Sequence, residues 1–279
     1  MNVKNTLINQ ALENTTKSDE LIIQDLGAKE NTLDYNKRIE LNSTRQSFYS
    51  EKVESIAILP AFNLQDIIGD IVKRTKEFVD HVIVVSDGST DNTNLNAIIA
   101  GAKCPLHTCN TGKGYALRKG IEYSKRYNPK FIILMDSDGQ HLPEEIPKLL
   151  MNLKKHKKDF VIGSRFQGIL KTSLINRFGN TFLNIISFIM TGRWFSDIES
   201  GFRVFVSEKL YQLNLETEDY TIDSELLLKS LHKGFRIAEV PITITKAIPG
   251  ITLMDGIKVA VYTVKNGFFI NLRRLNYRK

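Results

Sequence analysis

Between residues 53 and 165 the chain alternates short apolar runs with longer stretches in which apolar residues recur every three or four positions. The short runs are typical of buried strands, and they read SIAILPAF, HVIVVSD, PLHTC, FIILMD and DFVIGSR. Helices are predicted between them, from Gln65 to Phe78, from about Thr90, from Lys113 to Arg126 and from Pro143 to Lys155. This alternation predicts an α/β fold with a mostly parallel sheet that is covered by helices on both faces.

After Arg165 the pattern loosens. It predicts an apolar helix from Arg177 to Met190, the loop FSDIESGFR, the segment TIDSELLLKSLHKG, a strand RIAEVPITI and a last helix. The first 51 residues are polar, with only a weak helical pattern and no recognisable chemistry. We therefore divide the chain into an N-terminal appendage (1–51), an α/β domain (52–250) and a basic amphipathic helical tail (251–279).

Composition narrows the class of protein. A hydrophobic content of 42% in 279 residues supports a folded core. Two cysteines, Cys104 and Cys109, fit neither a disulfide framework nor a four-ligand zinc site, which indicates a reducing compartment. The N-terminus does not resemble a signal peptide, and no run of eighteen apolar residues occurs. We expect a cytoplasmic protein that does not span a membrane.

The net charge of +7 is concentrated in the tail. Residues 256–279 contain no acid, and their basic residues are Lys258, Lys265, Arg273, Arg274, Arg278 and Lys279. Apolar residues recur beside them at helical spacing, at Ile257, Val261, Val264, Phe268, Leu272 and Leu275. Such a helix is typical of contact with an anionic membrane surface, although a helix packed on the domain would show the same period. Nucleic acid is not expected, because aromatic residues do not alternate with these cations on a sheet.

Polar residues stand where the predicted strands end, and an open parallel sheet binds its ligands at that edge. These residues are Pro60, Ala61 and Asn63 after the first strand, Asp87 after the second, Asp136 and Asp138 after the fourth, and Arg165 after the fifth. The GxGxxG motif of dinucleotide-binding folds is absent from the first strand–helix turn. Acids at the strand ends instead suit a nucleotide whose base is bound by a carboxylate and whose diphosphate is bound through a metal.

The sequence FIILMDSDGQH, residues 131–141, is the most informative segment of the chain. It places Asp136 and Asp138 in one loop, with Gln140 and His141 behind them. Two carboxylates about 4 Å apart would repel by about 4 kcal/mol at an effective dielectric near 20, unless a cation or solvent separates them. Oxygen ligands of this kind favour Mg²⁺ or Mn²⁺. The alternative interpretation is a solvated Asp-Gly turn.

The motifs PAFN, VVSDGSTDNT, NTGKGYALRKGI, MDSDGQH, GSRF, DIESGFR and ELLLKSLHKGFRIAEVPI occur in this order over residues 53–256. In that order and spacing they resemble glycosyltransferase family 2, and within it the dolichol-phosphate and polyprenyl-phosphate sugar synthases. The resemblance implies a GT-A fold, a UDP- or GDP-linked sugar donor, a DxD metal site and an inverting single displacement. It also implies a polyprenyl-phosphate acceptor met by a peripheral enzyme at the cytoplasmic face of a membrane.

The resemblance also implies roles for individual residues. The nucleoside would be bound by Pro60, Ala61, Asn63 and Asp87, with Lys113 close by. Asp136 would face the ribose or metal, and Asp138 would be the principal metal ligand with Gln140 beside it. The phosphates would be faced by Arg165 and Arg203. Other interpretations exist for three of them. Asp87 could cap the helix after Ser89, Lys113 could lie with Arg118 on a solvated helix face, and Arg203 could pair with Glu199.

Three departures from the family pattern bear on function. Leu64 and Ser86 stand where acids are usual, and the basic segment before the last helix retains only Lys246 as a cation. A phosphate acceptor needs cations rather than a base, for which Arg165, Arg177, Arg203 and Lys246 are candidates. A hydroxyl acceptor on a glycan or lipid would need a base, such as Asp197 or Glu199. A nucleotide-sugar-binding module without turnover is a further alternative.

The predicted helix at 177–190 carries an apolar face that could meet a lipid acceptor. This face consists of Phe178, Phe182, Ile185, Ile186 and Ile189, and Trp194 follows at its end. Aromatic and aliphatic side chains of this kind are typical of a membrane interface. Packing against the protein core is the alternative and fits the same period.

Overall fold

The computed structural model describes residues 53–105, 109–165, 174–244 and 253–276. The predicted appendage (1–51) and the segment with Lys246 lie outside the described residues. The helix that contains Arg177 and Phe178 is described, but their side chains are not. The expectations for these residues therefore stay predictions.

Six strands form a single sheet in the order β2-β1-β3-β5-β4-β6. Their bounds are β1 Ser55–Ala61, β2 His81–Ser86, β3 Phe131–Leu134, β4 Phe160–Ser164, β5 Arg203–Val206 and β6 Ile237–Pro241. Strand β5 runs antiparallel to both of its neighbours, whereas the other adjacent pairs are parallel. The predicted mostly parallel sheet is confirmed, with one reversed strand that the sequence pattern did not indicate.

Most of the predicted third strand, PLHTC, lies outside the described residues and stays a prediction. Just before it, Lys103 forms an isolated parallel bridge with Ile83, and residues 106–108 lie outside the description. The backbone of Lys103 accepts from Val84 and donates to Val82. The segment therefore continues the sheet beside β2 by a single bridge.

Eight α-helices cover the described part of the sheet. Their bounds are α1 Ile68–Thr75, α2 Thr93–Ile99, α3 Lys113–Ser124, α4 Ile146–Lys155, α5 Leu174–Thr191, α6 Ser207–Tyr211, α7 Ile222–His232 and α8 Leu253–Asn276. Short 3-10 turns follow α3 at Lys125–Tyr127 and precede α4 at Pro143–Glu145. Pro143 suits such a start, because its missing N–H would have no helical partner.

Hydrophobic clusters lie on both faces of the sheet. On one face, Ile56 and Ile58 of β1 belong to a cluster with residues of α3, α7 and α8. On the other face, Ala57 and Leu59 belong to a cluster with residues of α1, α2 and α4. Since successive side chains of a strand point to opposite faces, a strand that is covered on both sides must be apolar throughout. This burial explains the continuous apolar runs in the sequence.

Helices α5 and α8 pack against each other and expose apolar side chains. Helix α8 buries Val259 and Thr263, whereas the described part of its predicted apolar stripe is exposed; the side chains of Phe268, Leu272 and Leu275 lie outside the description. In that stripe Ile257 is 48% exposed, Val261 60% and Val264 47%. Helix α5 likewise buries Asn184, Ser187 and Thr191 while it exposes Phe182, Ile185, Phe188 and Ile189. Both helices therefore turn apolar surface outward.

Among the helices of the described residues, none combines the length and the hydropathy needed to cross a bilayer.

Candidate active site

The ends of β1, β2 and β3 and the start of α3 bring several predicted residues together. Lys113, the first residue of α3, places Nζ 2.7 Å from Asp136 Oδ1 and 2.8 Å from Asp223 Oδ2. Its side chain is 13% exposed, so the alternative of a solvated helix face is wrong for Lys113. Asp136 follows β3 and Asp223 lies on α7, so one ammonium group joins the sheet edge to a helix distant in sequence.

Burial and charge act in opposite directions on this cluster. Burial alone would raise the pKa of Asp136, but the ammonium group of Lys113 and the nearby His141 hold that pKa well below its usual range. Burial would lower the pKa of Lys113, yet Asp136 and Asp223 together raise it. Both Asp136 and Lys113 are therefore charged at neutral pH, and Lys113 already neutralises part of the acidic edge.

The second oxygen of the Asp136 carboxylate, Oδ2, also has close neighbours. His141 Nε2 lies 3.8 Å from Asp136 Oδ2, and the His141 ring contacts Phe202 at a centroid distance of 5.3 Å. The backbone of Gly201 approaches the same carboxylate so closely that a Cβ atom there would lie 2.0 Å from Oδ2. Glycine is therefore required at 201 by close approach, and the carboxylate of Asp136 has little freedom to move.

Asp138 occupies the rim of the same loop and is partly exposed. Its Oδ1 accepts the backbone N–H of Gln140 at 3.0 Å, and its Oδ2 accepts from Gln140 Nε2 at 2.9 Å. Each carboxylate oxygen retains a second lone pair for another ligand. In this arrangement Gln140 orients Asp138, and its own role as a metal ligand stays a prediction.

The donor atoms of this loop suit a hard divalent cation. Within the described ranges, no group of three or more His, Cys, Asp and Glu side chains is arranged to hold a metal by itself. Mg²⁺ is commonly bound by one or two carboxylates together with substrate phosphates, rather than by a complete protein cage. Asp138, with Asp136 beside it, matches that open type of site.

The predicted nucleoside side is organised around Asp87, which is 6% exposed. Its Oδ1 accepts the N–H of Thr111 at 2.9 Å and its Oδ2 that of Gly112 at 2.8 Å. The alternative of a cap after Ser89 is wrong for Asp87, because both of its oxygens accept from this loop; near the start of α2, Asp91 accepts the N–H of Thr93 at 2.9 Å instead. Asp87 therefore fixes the loop before α3, and contact with a nucleoside stays a prediction.

The loop after β1 is tied to the neighbouring loops. The backbone N–H of Asn63 donates to Ser89 Oγ at 3.0 Å, and Asn63 Oδ1 accepts the N–H of Thr90 at 2.9 Å. Ser137, between the two aspartates, donates to the carbonyl of Pro60. The next residue, Ala61, is buried at the end of β1. The predicted residues at three strand ends therefore lie in one connected rim.

Arg165 and Asp197 form a buried pair at the end of β4. Asp197 Oδ2 accepts hydrogen bonds from the backbone N–H of Arg165 at 2.9 Å and from its Nε at 2.7 Å. Asp197 Oδ1 accepts a third from Arg165 Nη2 at 2.7 Å. The Arg165 side chain is 17% exposed, and that of Asp197 is fully buried. Burial would lower the pKa of Arg165, but Asp197 raises it. Arg165 therefore stays a fixed cation at this edge.

Arg203 does not face the sheet edge, and its prediction as a phosphate ligand is not supported. The side chain has no exposed surface. Its Nε, Nη1 and Nη2 donate to the carbonyls of Ser200, Asp223 and Ile198 at 2.7, 2.6 and 2.6 Å. Its carboxylate partner is Asp223 at 3.4 Å, instead of the expected Glu199. Arg203 is the first residue of β5, and its side chain points into the core. There it stabilises the loop 198–200 by donating to the carbonyls of Ile198 and Ser200.

Glu199 lies beside this cluster and is partly exposed. Burial and the nearby Asp223 raise the pKa of Glu199 to about 7, although Ser224 opposes the rise by donating to its Oε1 at 2.8 Å. Asp223 and Ser224 were not among the predicted site residues. The available signal was a polar run, DSE, directly before the apolar run LLL, but only the fold shows that this first turn is buried.

Comparisons with known proteins agree with this geometry. The family model "Glycosyl transferase family 2" matches residues 56–211, which is more than half of the chain. An uncharacterised protein of Methanocaldococcus jannaschii is 35% identical over 197 residues, which cover 68% of this chain and 81% of that protein. The UDP-N-acetylglucosamine–dolichyl-phosphate N-acetylglucosaminyltransferase of Methanococcus voltae is 29% identical, over 72% of this chain and 91% of that protein.

Two further proteins extend the comparison. The polyprenol monophosphomannose synthase of Mycolicibacterium smegmatis is 29% identical, over 75% of this chain and 85% of that protein. The crystal structure of glucosyl-3-phosphoglycerate synthase from Mycobacterium tuberculosis, in complex with Mn²⁺, UDP-glucose and phosphoglyceric acid, superimposes with a TM-score of 0.61. It is 18% identical and covers 87% of this chain and 86% of that chain, so it supports the fold alone. The resemblance read from the motifs is confirmed, and the chain belongs to glycosyltransferase family 2.

Proposed function

We propose that this protein transfers a hexose or N-acetylhexosamine from a nucleotide-diphosphate sugar to a polyprenyl phosphate, with inversion at the anomeric carbon. The observation that carries the proposal is the edge at which Asp138 stands beside the Lys113–Asp136–Asp223 cluster. Carboxylates for a metal and a fixed cation, Lys113, meet there at the end of β3 and the start of α3. Relatives named for dolichyl phosphate and polyprenol monophosphomannose support this acceptor class.

Mg²⁺ or Mn²⁺, held by Asp138 with Asp136 and Gln140 beside it, would stabilise the negative charge that builds on the leaving diphosphate. The related fold of glucosyl-3-phosphoglycerate synthase was crystallised with Mn²⁺ and, in another crystal, with Mg²⁺ and UDP. Lys113 holds Asp136 in place at 2.7 Å, and Asp87 holds the loop before α3 by two backbone N–H groups. These residues would therefore orient the donor before the reaction.

The transfer itself requires no base when the acceptor is a phosphate. A phosphate oxygen attacks the anomeric carbon, the bond from that carbon to the diphosphate oxygen breaks, and the nucleoside diphosphate leaves with the electron pair. Arg165 is the described cation best placed to orient the acceptor, because it follows β4 and interacts electrostatically with both Asp136 and Glu199. Its pair with Asp197 fixes the guanidinium and reduces the entropy cost of binding an anion.

One observation favours a second candidate, sugar transfer to a hydroxyl group. A hydroxyl acceptor would need a base, and Asp197 is poorly suited because Arg165 engages both of its oxygens. Glu199 is better suited, since burial and Asp223 raise its pKa to about 7 and its side chain is partly exposed. A base whose pKa lies near the working pH is efficient in proton transfer.

Contact with a membrane surface is supported by two helices. Helix α5 buries polar Asn184, Ser187 and Thr191 and exposes four large apolar side chains, which is the reverse of a helix facing water. Trp194, 52% exposed, contacts Phe188 at the end of that face. The exposed stripe of α8 lies beside Lys258, which would complement anionic lipid. We propose peripheral association with the cytoplasmic face of a membrane.

The test combines the purified protein with UDP-N-acetylglucosamine or GDP-mannose, Mn²⁺ and a short polyprenyl phosphate, followed by detection of a labelled lipid. We expect a lipid-linked sugar with one of the two donors, and no product when EDTA removes the metal. Replacing the lipid phosphate by the free polyprenol tests the hydroxyl acceptor. Product with the alcohol only would support the second candidate, and no turnover of either donor would indicate a nucleotide-sugar-binding module.

A further inference from the structure

Two buried hydroxyl groups join α8 to the catalytic cluster. Thr263 on α8 and Ser224 on α7 are each 1% exposed. Thr263 Oγ1 donates to Ser224 Oγ at 3.3 Å, and Ser224 Oγ donates to Glu199 Oε1 at 2.8 Å. The three residues are 39 and 25 positions apart along the chain, so the contact depends on the complete fold. Buried hydroxyls are costly unless they are hydrogen-bonded, so both side chains are held in this arrangement.

The direction of these hydrogen bonds fixes the Glu199 carboxyl. Because Ser224 Oγ accepts from Thr263, its own hydrogen is turned toward Glu199. Oε1 is then an acceptor, and a proton carried by Glu199 must lie on Oε2. Among the described residues no group donates to Oε2, and the Glu199 side chain is partly exposed. Oε2 is therefore left for a group of the substrate.

The electrostatic setting of Glu199 makes its proton important. The charged groups that act on it are Asp223 of α7, Arg203 of β5 and Lys113 of α3, and Glu199 in turn acts on Arg165 after β4. Asp223 opposes ionisation of Glu199, whereas Arg203 and Lys113 favour it. With a proton, Glu199 can donate to a phosphate oxygen. Without it, the carboxylate repels the same oxygen.

We propose that Thr263 and Ser224 are positioning residues, which hold Glu199 so that its Oε2–H donates to a phosphate oxygen of the acceptor. Helix α8 thereby becomes part of the acceptor site, because Thr263 reaches Glu199 through Ser224. The identity of the acceptor rests on the proposed function, whereas the link from α8 to Glu199 belongs to the protein without substrate. Helix α8, whose outer face we assign to the membrane, is thus connected to Glu199 by two hydrogen bonds.

The test uses Thr263→Val, which removes the hydroxyl at constant shape, with Thr263→Ser as its rescue. The acceptor KM and kcat are measured with Mn²⁺, a sugar nucleotide and a polyprenyl phosphate from about pH 6 to about pH 9. We expect Thr263→Val to raise the acceptor KM about five- to tenfold near pH 7 and to leave the donor KM unchanged. Thr263→Ser should retain the wild-type values. Ser224→Ala should raise the acceptor KM more than Thr263→Val does.

Two comparisons separate positioning from a general loss of packing. Thr75→Val removes another fully buried hydroxyl, one that donates to Ile71 O at 2.6 Å in a different layer, and should change neither KM. In a Glu199→Ala background, Thr263→Val should add less than about a twofold effect, because the carboxyl group that it positions is absent. An equal effect of Thr263→Val with and without Glu199 would overturn the proposal.

A measurement without substrate keeps the proposal separate from the proposed function. The melting temperature of each variant is followed against pH in the absence of metal and donor. In Thr263→Val, the change in melting temperature that depends on Glu199 should occur at higher pH than in the wild type. Thr75→Val should instead lower the melting temperature equally at every pH. Identical pH dependence for the two variants would show that Thr263 has only a packing role. If the wild type transfers no sugar to a lipid phosphate, the proposed function fails while this measurement still decides the link.

Discussion

The sheet consists of two halves that build their parts of the site in different ways. In the half formed by β2, β1 and β3, the site residues follow directly after parallel strands, as Asp87 and Asp136 do. In the half formed by β5, β4 and β6, Arg165 follows β4, but the other site residues come from a loop and a helix. There Asp197 and Glu199 precede β5, and Asp223 lies on α7.

This difference has a physical cause. A carboxylate that follows an apolar strand is placed at the sheet edge by the strand itself, so a local pattern predicts its position. Glu239, by contrast, lies on β6 and accepts the backbone N–H of Ser196 at 2.8 Å, more than 40 residues earlier in the chain. Such an interaction exists only after β4 and β6 have paired. The first half is thus locally encoded, and the second depends on long-range packing.

The largest effect that we expect tests the locally encoded half. Asp138→Asn keeps the shape of the side chain but removes the charge that would hold the metal. Loss of metal stabilisation of the leaving diphosphate should lower kcat/KM about a thousandfold, equivalent to about 4 kcal/mol. Steady-state transfer with Mn²⁺ measures it, and calorimetry should show loss of metal-dependent donor binding.

Glu144 provides the control for this change, because it is a half-exposed acid that pairs with Arg74 at 2.7 Å, away from the rim. Glu144→Gln should leave kcat/KM within about twofold of the wild type. Turnover of Asp138→Asn at the wild-type rate would contradict a metal site at this loop, and with it the assignment of the donor side.

The next effect tests the half that depends on packing. Arg203→Met should lower the free energy of unfolding by about 3 to 5 kcal/mol, because three carbonyls and the buried carboxylate of Asp223 lose a partner. Denaturant titration measures this loss. Donor affinity of the folded protein should be unchanged, since Arg203 has no exposed surface.

Arg74→Met is the matched control, because Arg74 pairs with Glu144 and Asp70 but is 34% exposed. Its loss should cost no more than about 1 kcal/mol. A large fall in donor affinity for Arg203→Met at unchanged stability would instead restore the sequence-based prediction that Arg203 faces the phosphates.

A smaller effect is expected where the two halves touch. Gly201→Ala would place a Cβ atom 2.0 Å from Asp136 Oδ2 and must displace that carboxylate, which Lys113 holds from the other side. A misplacement of this size should lower kcat about a hundredfold. Gly69→Ala, whose Cβ would meet its nearest neighbour at 3.8 Å, should retain full activity. Equal activity of both variants would show that Asp136 need not keep its observed position.

The sequence predicts the general fold because most strands are covered on both faces and most helices have one apolar side. The reversed strand β5 is not predicted, since the run RVFV begins with an arginine that would ordinarily mark a surface. Arg203 is buried only because Asp223 and three carbonyls surround it. The predicted strand PLHTC stays a prediction, because residues 106–108 lie outside the described residues; just before it, Lys103 forms a bridge with Ile83 of β2.

The candidate site divides in the same way. Asp136 and Lys113 were predicted, and the structure brings them together at 2.7 Å. Asp223 and Ser224 were missed, because an Asp-Ser pair at a helix start has the pattern of an ordinary exposed first turn. Their burial follows from the packing of α7 against α3 and α8, which no local period reveals.

A fourth effect concerns the pH dependence of stability in the long-range half. The pKa of Glu199 is about 7 in the folded protein and 4.5 in the unfolded chain. Between pH 4.5 and about 7, Glu199 is therefore ionised in the unfolded chain but still protonated in the folded protein. The free energy of unfolding should therefore fall as the pH rises through this range. Glu199→Gln should remove that fall and be more stable than the wild type by on the order of 1 to 3 kcal/mol above pH 7, with little difference below pH 4.5.

Denaturant titrations of the wild type and Glu199→Gln at several pH values measure this difference. Glu144→Gln again serves as the control. Hydrogen bonding to Arg74 holds the pKa of Glu144 below its usual value, so its neutralisation should destabilise slightly at neutral pH rather than stabilise. The same pH dependence of stability in the wild type and Glu199→Gln would contradict the assignment of a neutral Glu199.

The smallest effect tests whether the outer face of the second half meets lipid. The double change Ile257→Gln and Val261→Gln removes apolar surface that is already exposed, so the melting temperature should stay the same. Sedimentation with anionic phosphatidylglycerol vesicles should weaken about tenfold, because each side chain would no longer enter the interface. Met151→Gln on α4, at a side chain that is 62% exposed on another surface, should sediment as the wild type does. If both variants sediment alike, α8 does not face the membrane, and only the inner face of that helix, through Thr263, would still connect it to the site.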